Sequence, residues 1–146
     1  MSFKSNLINI VLVETSHPGN IGSVARAMKT MGLSSLSLVN PRKFPSGEAN
    51  ALSGNAGDVL ENAQIFNSIE DAIKDSTFVY ATSSRSRTIQ WPTVHAEEGA
   101  LLINDQVTSD KKVSILFGRE DRGLTNEELQ LANTHIEIPA NPEYPV

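Results

Sequence analysis

The chain has 146 residues, 39% of them apolar, a formal net charge of −5 and no cysteine. That size supports one hydrophobic core and a single domain, 1–146. Without cysteine there is no disulfide framework, thiolate zinc site or cysteine nucleophile, and the acidic balance argues against a nucleic-acid partner unless basic residues gather on one face.

The first six residues lack a basic segment ahead of a long apolar run. The apolar stretch 7–13 is too short to cross a membrane, so a cytoplasmic protein with no membrane partner is expected. Residues 7–13 read as a first strand. The loop Glu14-Thr15-Ser16-His17-Pro18-Gly19-Asn20 consists of turn formers, with Asn20 placed to cap the next helix. Ile21, Val24, Ala25 and Met28 recur at helical spacing and predict a buried face, with Ser23 and Arg26 off it. Gly32 ends this helix, and residues 36–39 form a second strand.

Residues 48–60 are expected to be helical but broken at Gly54 and Gly57. A short strand follows at 64–66, then a helix capped by Ser68. Residues 77–82 are β-branched and aromatic and read as a fourth strand. The polar, basic loop 83–92 contains the only tryptophan, Trp91. A helix is predicted over 93–103, a fifth strand over 113–117, a helix over 125–132 and a sixth strand over 135–138.

Strands alternating with helices predict an α/β domain with a mainly parallel sheet and helices on both faces. The tail Asn141-Pro142-Glu143-Tyr144-Pro145-Val146 is turn-like and brings no closing helix, so the domain is expected to be incomplete at its C-terminus.

Four constellations stand out. Gly19-Asn20-Ile21-Gly22-Ser23 with Arg26 puts glycines at a strand-to-helix turn, which suits an anion at a helix start, although the spacing fits neither a P-loop nor a dinucleotide fingerprint. Its plain alternative is a capped helix with a surface arginine. In Ala81-Thr82-Ser83-Ser84-Arg85-Ser86-Arg87, hydroxyls can bond a polar ligand and arginines can hold phosphates; the alternative is a solvated basic loop. In Phe117-Gly118-Arg119-Glu120-Asp121-Arg122-Gly123-Leu124, Gly118 ends a strand and permits close approach, while Glu120 is either a site residue or a partner for Arg119 or Arg122. Thr125-Asn126-Glu127-Glu128 has capping-box spacing. Glu97-Glu98 and Glu127-Glu128 read as solvated helix faces. His17, His95 and His135 share no metal-ligand spacing, so no metal is expected.

These motifs carry a resemblance. Phe117-Gly118-Arg119-Glu120 with Gly123-Leu124 resembles the second motif of the SPOUT superfamily, and more narrowly of the TrmH-like (SpoU-type) RNA ribose 2′-O-methyltransferases. Asn20 followed by Arg26 is similar to the family's first motif, and Ile138-Pro139 to the start of its third. Residues 13–29, 83–87 and 141–144 resemble in detail the bacterial subfamily that methylates cytidine or uridine 32 of the tRNA anticodon loop.

The resemblance implies an α/β knot whose third motif is cut short here, S-adenosyl-L-methionine as methyl donor, tRNA as substrate and a homodimer with the site between subunits. It implies Arg26 and Asn20 as catalytic residues. It places the cofactor against Thr82, Ser83, Ser84, Gly118, Glu120, Ile138, Pro145 and Val146, and RNA against Ser23, Arg85, Arg87, Arg119 and Arg122. Trp91 is a further candidate for stacking on a base. A guanidinium is a poor general base, so Arg26 is expected to act electrostatically, fixing a phosphate and stabilising oxyanion character on the ribose oxygen. The rival reading is a non-catalytic module of the same fold that holds RNA or an adenosine ligand. Asn20 and Arg26 together favour the enzyme, and the shortened third motif favours the module.

Overall fold

The computed structural model describes residues 4–83 and 91–138. In chain order the strands are β1 (Ile8–Val13), β2 (Ser35–Val39), β3 (Gln64–Phe66), β4 (Phe78–Ser83), β5 (Thr93–His95), β6 (Val113–Phe117) and β7 (Thr134–Glu137). The helices are α1 (Pro18–Thr30), α2 (Gly47–Ser53), α3 (Gly57–Glu61), α4 (Ile69–Ile73), α5 (Ala96–Thr108) and α6 (Asn126–Leu129). The strands make one wholly parallel sheet in the order β3-β2-β1-β6-β4-β7-β5. β1 lies inside it and is buried at every position, which is why its sequence is an unbroken apolar run apart from Asn9.

Alternation along the strands divides the core between two faces. Ile8, Ile10 and Leu12 join Leu36, Leu38 and Tyr80 beneath Ile21, Ala25 and Met28 of α1, Ala49 of α2, Val59 of α3, and Ile103 and Val107 of α5. Val11 and Val13 join Val39, Val79 and Leu116 against Ile69 of α4 and Leu129 of α6. The single polar side chain of β1 is fully employed. Asn9 donates to the Ala72 carbonyl and the Ser114 hydroxyl, and accepts from the hydroxyls of Ser35 and Ser37. Burial without those four partners would destabilise the sheet.

Helix α1 packs on α2 at Gly22, where a Cβ would stand 2.2 Å from the Ala49 carbonyl oxygen. The helix ends as expected at Gly32, at φ 77°, and the Gly32 and Leu33 amides close the last turn on Lys29 and Met28.

Three expectations change. Asn20 is not the cap of α1: the helix begins at Pro18 with His17 before it, because proline is suited to the first helical turn. Asn20 instead lies in that turn, exposed. Residues 93–95 are strand β5, pairing with β7, and the helix begins only at Ala96 and runs to Thr108. The β-branched pair Thr93-Val94 fits an edge strand better than a helix start. The last helix stops at Leu129, beyond which the chain continues in tighter turns.

Candidate active site

Strands β1 and β6 are neighbours, but the chain leaves β1 toward β2 and leaves β6 toward β7, on the opposite side. Open parallel sheets bind ligands in such a crevice, at the carboxyl ends of the strands. The loop after β6 folds back on itself. Arg119 and Gly123 form an antiparallel bridge, and Gly123 takes φ 68° to close it. Gly118 has no room for a side chain, since a Cβ would lie 2.2 Å from the Gly123 carbonyl carbon. The close approach at Gly118 is thus to its own loop.

Adjacent residues of that loop reach across to the loop after β1. Glu120 accepts hydrogen bonds from the Ser16 hydroxyl at 2.6 Å and the Ser16 amide at 3.2 Å, and the nearby Asn20 side chain favours its charge further. Burial opposes the charge on Glu120, but these donors outweigh it and hold its carboxyl below the ordinary glutamate value. The Glu120 carboxylate faces the loop after β1, where the two Ser16 donors converge on it.

Arg119 also departs from expectation. Its guanidinium grips Glu128 in a two-pronged pair at 2.8 and 3.0 Å and Glu14 at 2.7 Å. The side chain is only 14% exposed. These partners raise its pKa further, and they occupy the fork that a phosphate would need. Glu128 is correspondingly not a solvated residue: it binds Arg119 and caps the Thr125 amide at 2.7 Å. Arg122 is exposed at 73%, with Asp121 at 3.7 Å.

Three neighbouring strands, β6, β4 and β7, end side by side. Thr82 donates its hydroxyl to the Leu116 carbonyl at 2.9 Å. The Ile138 amide bonds the Ser83 carbonyl at 2.8 Å. Thr82, Ser83, Gly118 and Ile138 therefore share one edge of the sheet. Ile138 is apolar yet 41% exposed there. Ser84, Arg85, Arg87, Pro145 and Val146 lie outside the described residues.

Ser23 and Arg26 share a groove of about 460 Å³ with Met31 and Leu52. Arg26 also lines a second cleft, of about 390 Å³, with Lys29, Ser53, Gly54 and Asn55. Neither contains Thr82, Ser83, Gly118 or Ile138. Arg26 stands six residues beyond Asn20, about 9 Å along α1. The two clefts that Arg26 lines are thus formed by α1 and residues 52–56, without the strand-end residues.

Trp91 is half-buried. Its indole N–H donates to the Ala132 carbonyl at 2.8 Å, and its ring stacks on His135 at 5.8 Å and 13°. His135 is buried and bonds the Leu129 carbonyl. One face of the Trp91 ring is thereby committed to His135. Among the described residues no group of three or more His, Asp or Glu could hold a metal, and no helix is long and apolar enough to cross a membrane.

Sequence reasoning quoted Glu14 and Ser16 only as turn formers, and read Glu128 as surface. The capping-box spacing did locate the Thr125–Glu128 bond. No local signal could pair Arg119 with Glu14, 105 positions away.

Comparison with known proteins follows the same lines. A family model described as the SpoU rRNA Methylase family matches residues 7–146. A curated relative from Pectobacterium atrosepticum, named tRNA (cytidine/uridine-2'-O-)-methyltransferase TrmJ, is 52% identical over 137 residues, covering 94% of this chain and 56% of its own length. The chain spans about half the length of the curated relatives it matches. Among solved structures, a probable methylase family protein from Haemophilus influenzae Rd KW20 superimposes with a TM-score of 0.89 at 45% identity, covering 97% of this chain and 59% of that one. TrmJ from Z. mobilis ZM4 does so with a TM-score of 0.88 at 38% identity, covering 94% and 60%.

Proposed function

This chain belongs to the SpoU rRNA methylase family, and on that premise we propose that it transfers a methyl group from S-adenosyl-L-methionine to a ribose 2′-hydroxyl of tRNA, at cytidine or uridine 32 of the anticodon loop. The observation that carries this reading is its 52% identity, across nearly the whole chain, to a tRNA (cytidine/uridine-2'-O-)-methyltransferase. The position within the loop rests on the subfamily resemblance of residues 13–29, 83–87 and 141–144.

The strand ends suit the methyl donor. Thr82 and Ser83 place polar residues beside the exposed apolar surface of Ile138, a pairing that fits an adenosine. Bound there, S-adenosyl-L-methionine supplies an electrophilic methyl group, and the chain's own work is alignment and charge. Arg26 fixes a phosphate next to the target ribose and stabilises negative charge as the 2′-oxygen loses its proton. Asn20, oriented by Glu120, holds the ribose. Arg122 and Ser23, with Arg85 and Arg87, contact the RNA backbone, and the unpaired anticodon bases present the reacting nucleotide.

The family resemblance supports a homodimer with the site between subunits. The cytoplasm is where tRNA and the methyl donor meet. Incubating full-length protein with unmodified tRNA and S-adenosyl-L-methionine, then digesting to nucleosides for mass spectrometry, tests the reading. 2′-O-methylcytidine or 2′-O-methyluridine is expected; methylated bases, or no methylation, would overturn it.

A further inference from the structure

We propose that Arg119 is a positioning residue for the Asn20 loop, acting through Glu14 and Glu128, and not a contact to RNA. This rests on the methyltransferase reading above and deepens it. Glu14 sits where β1 gives way to that loop, and it adopts φ 51°, a conformation uncommon for residues other than glycine, asparagine and aspartate. Something must hold it. Its carboxylate is bound at 2.7 Å by Arg119, whose other contacts anchor it to α6 through both oxygens of Glu128. The next residue, Glu120, takes the Ser16 hydroxyl and amide, close to Asn20.

Two consecutive side chains thus clasp one loop at its start and again near Asn20. The Arg119 end is the firmer: it is 14% exposed, charge-assisted and bidentate. Without Arg119, the Glu14 and Glu128 carboxylates would face one another unneutralised, and Glu14 would lose the contact that offsets its backbone strain. The loop would shift, and with it the first turn of α1, which carries Asn20. A displacement of about 1 Å in a group that orients substrate costs up to about 100-fold in rate. A phosphate contact would behave differently: its loss weakens RNA binding and lowers the salt dependence by about one unit of slope.

The test compares full-length protein with Arg119→Gln, Glu14→Ala and the double variant, measuring kcat and KM for tRNA methylation and the salt slope of tRNA affinity. Arg119→Gln is expected to lower kcat about 10- to 100-fold with the slope unchanged. Glu14→Ala should lower it less, the double variant no further than Arg119→Gln alone, and added guanidinium should restore part of the lost rate. Glu14 is 45% exposed, so its variant decides the matter if Arg119→Gln does not fold. Unchanged kcat in Glu14→Ala, or a slope reduced by about one unit in Arg119→Gln with kcat intact, would overturn the proposal while leaving the activity standing. A wild-type protein that methylates no ribose would remove the activity and this inference together.

Discussion

Gly22 and Gly57 make a contrast at the scale of single residues. A methyl group at Gly22 would overlap the Ala49 carbonyl, while one at Gly57 meets nothing within 4 Å. Backbone cannot yield as a side-chain tip can, so α1 and α2 would have to separate. Gly22→Ala should cost about 3 kcal/mol in urea denaturation, the upper end of overpacking effects. Gly57→Ala should be neutral or stabilise by about 0.5 kcal/mol, because it only restricts the unfolded chain. Arg26 belongs to the same scale but to the chemistry. It is exposed and sits in clefts that exclude the strand-end residues. Arg26→Ala is therefore expected to lower turnover about 100-fold or more while cofactor affinity, read by calorimetry, stays near the wild-type value. A large loss of cofactor affinity would reassign Arg26.

At the scale of elements, the loop after β6 and helix α6 are joined by Glu128. Burial disfavours its charge, but Arg119 and the Thr125 amide more than compensate and keep its carboxyl below the ordinary value of 4.5. The unfolded chain therefore binds this proton more readily than the folded one. The stabilisation is complete above 4.5 and is lost as pH falls through the lower folded value. Glu128→Gln should flatten the acid limb of the stability curve, measured by urea denaturation from neutral pH downward; a limb unchanged by the substitution would contradict this pairing.

Periodicity located nearly every element, because apolar alternation and helical spacing are local. It misplaced the start of α5, where Thr93 and Val94 gain strand pairing from β7, a partner 42 positions away in the chain. The same divide runs through the site. The motifs around Asn20, Thr82 and Gly118 could be read directly, and so could the Thr125 cap. The clasp of Arg119 on Glu14 depends on two strands meeting from opposite ends of the sequence, and no spacing rule encodes it.

For the molecule as a whole, a net charge of −5 and an RNA substrate are compatible only if the cations that touch RNA are set apart from the acids. Arg119 is neutralised by two carboxylates, whereas Arg122 extends into solvent. Affinity for tRNA should fall steeply with salt, and Arg122→Gln should lower that slope by about one unit, measured by filter binding over a salt series. An unaltered slope would remove Arg122 from the interface.

The claim that binds these scales is ribose methylation directed by Arg26. It is tested most directly by mapping 2′-O-methyl groups on unmodified tRNA after reaction with S-adenosyl-L-methionine, using RNase fragments and mass spectrometry, with wild type and Arg26→Ala side by side. The account predicts one methylated ribose, at cytidine or uridine 32 of the anticodon loop, formed by the wild type and nearly absent with the variant. Methylation elsewhere, or an Arg26→Ala protein as active as wild type, would contradict it.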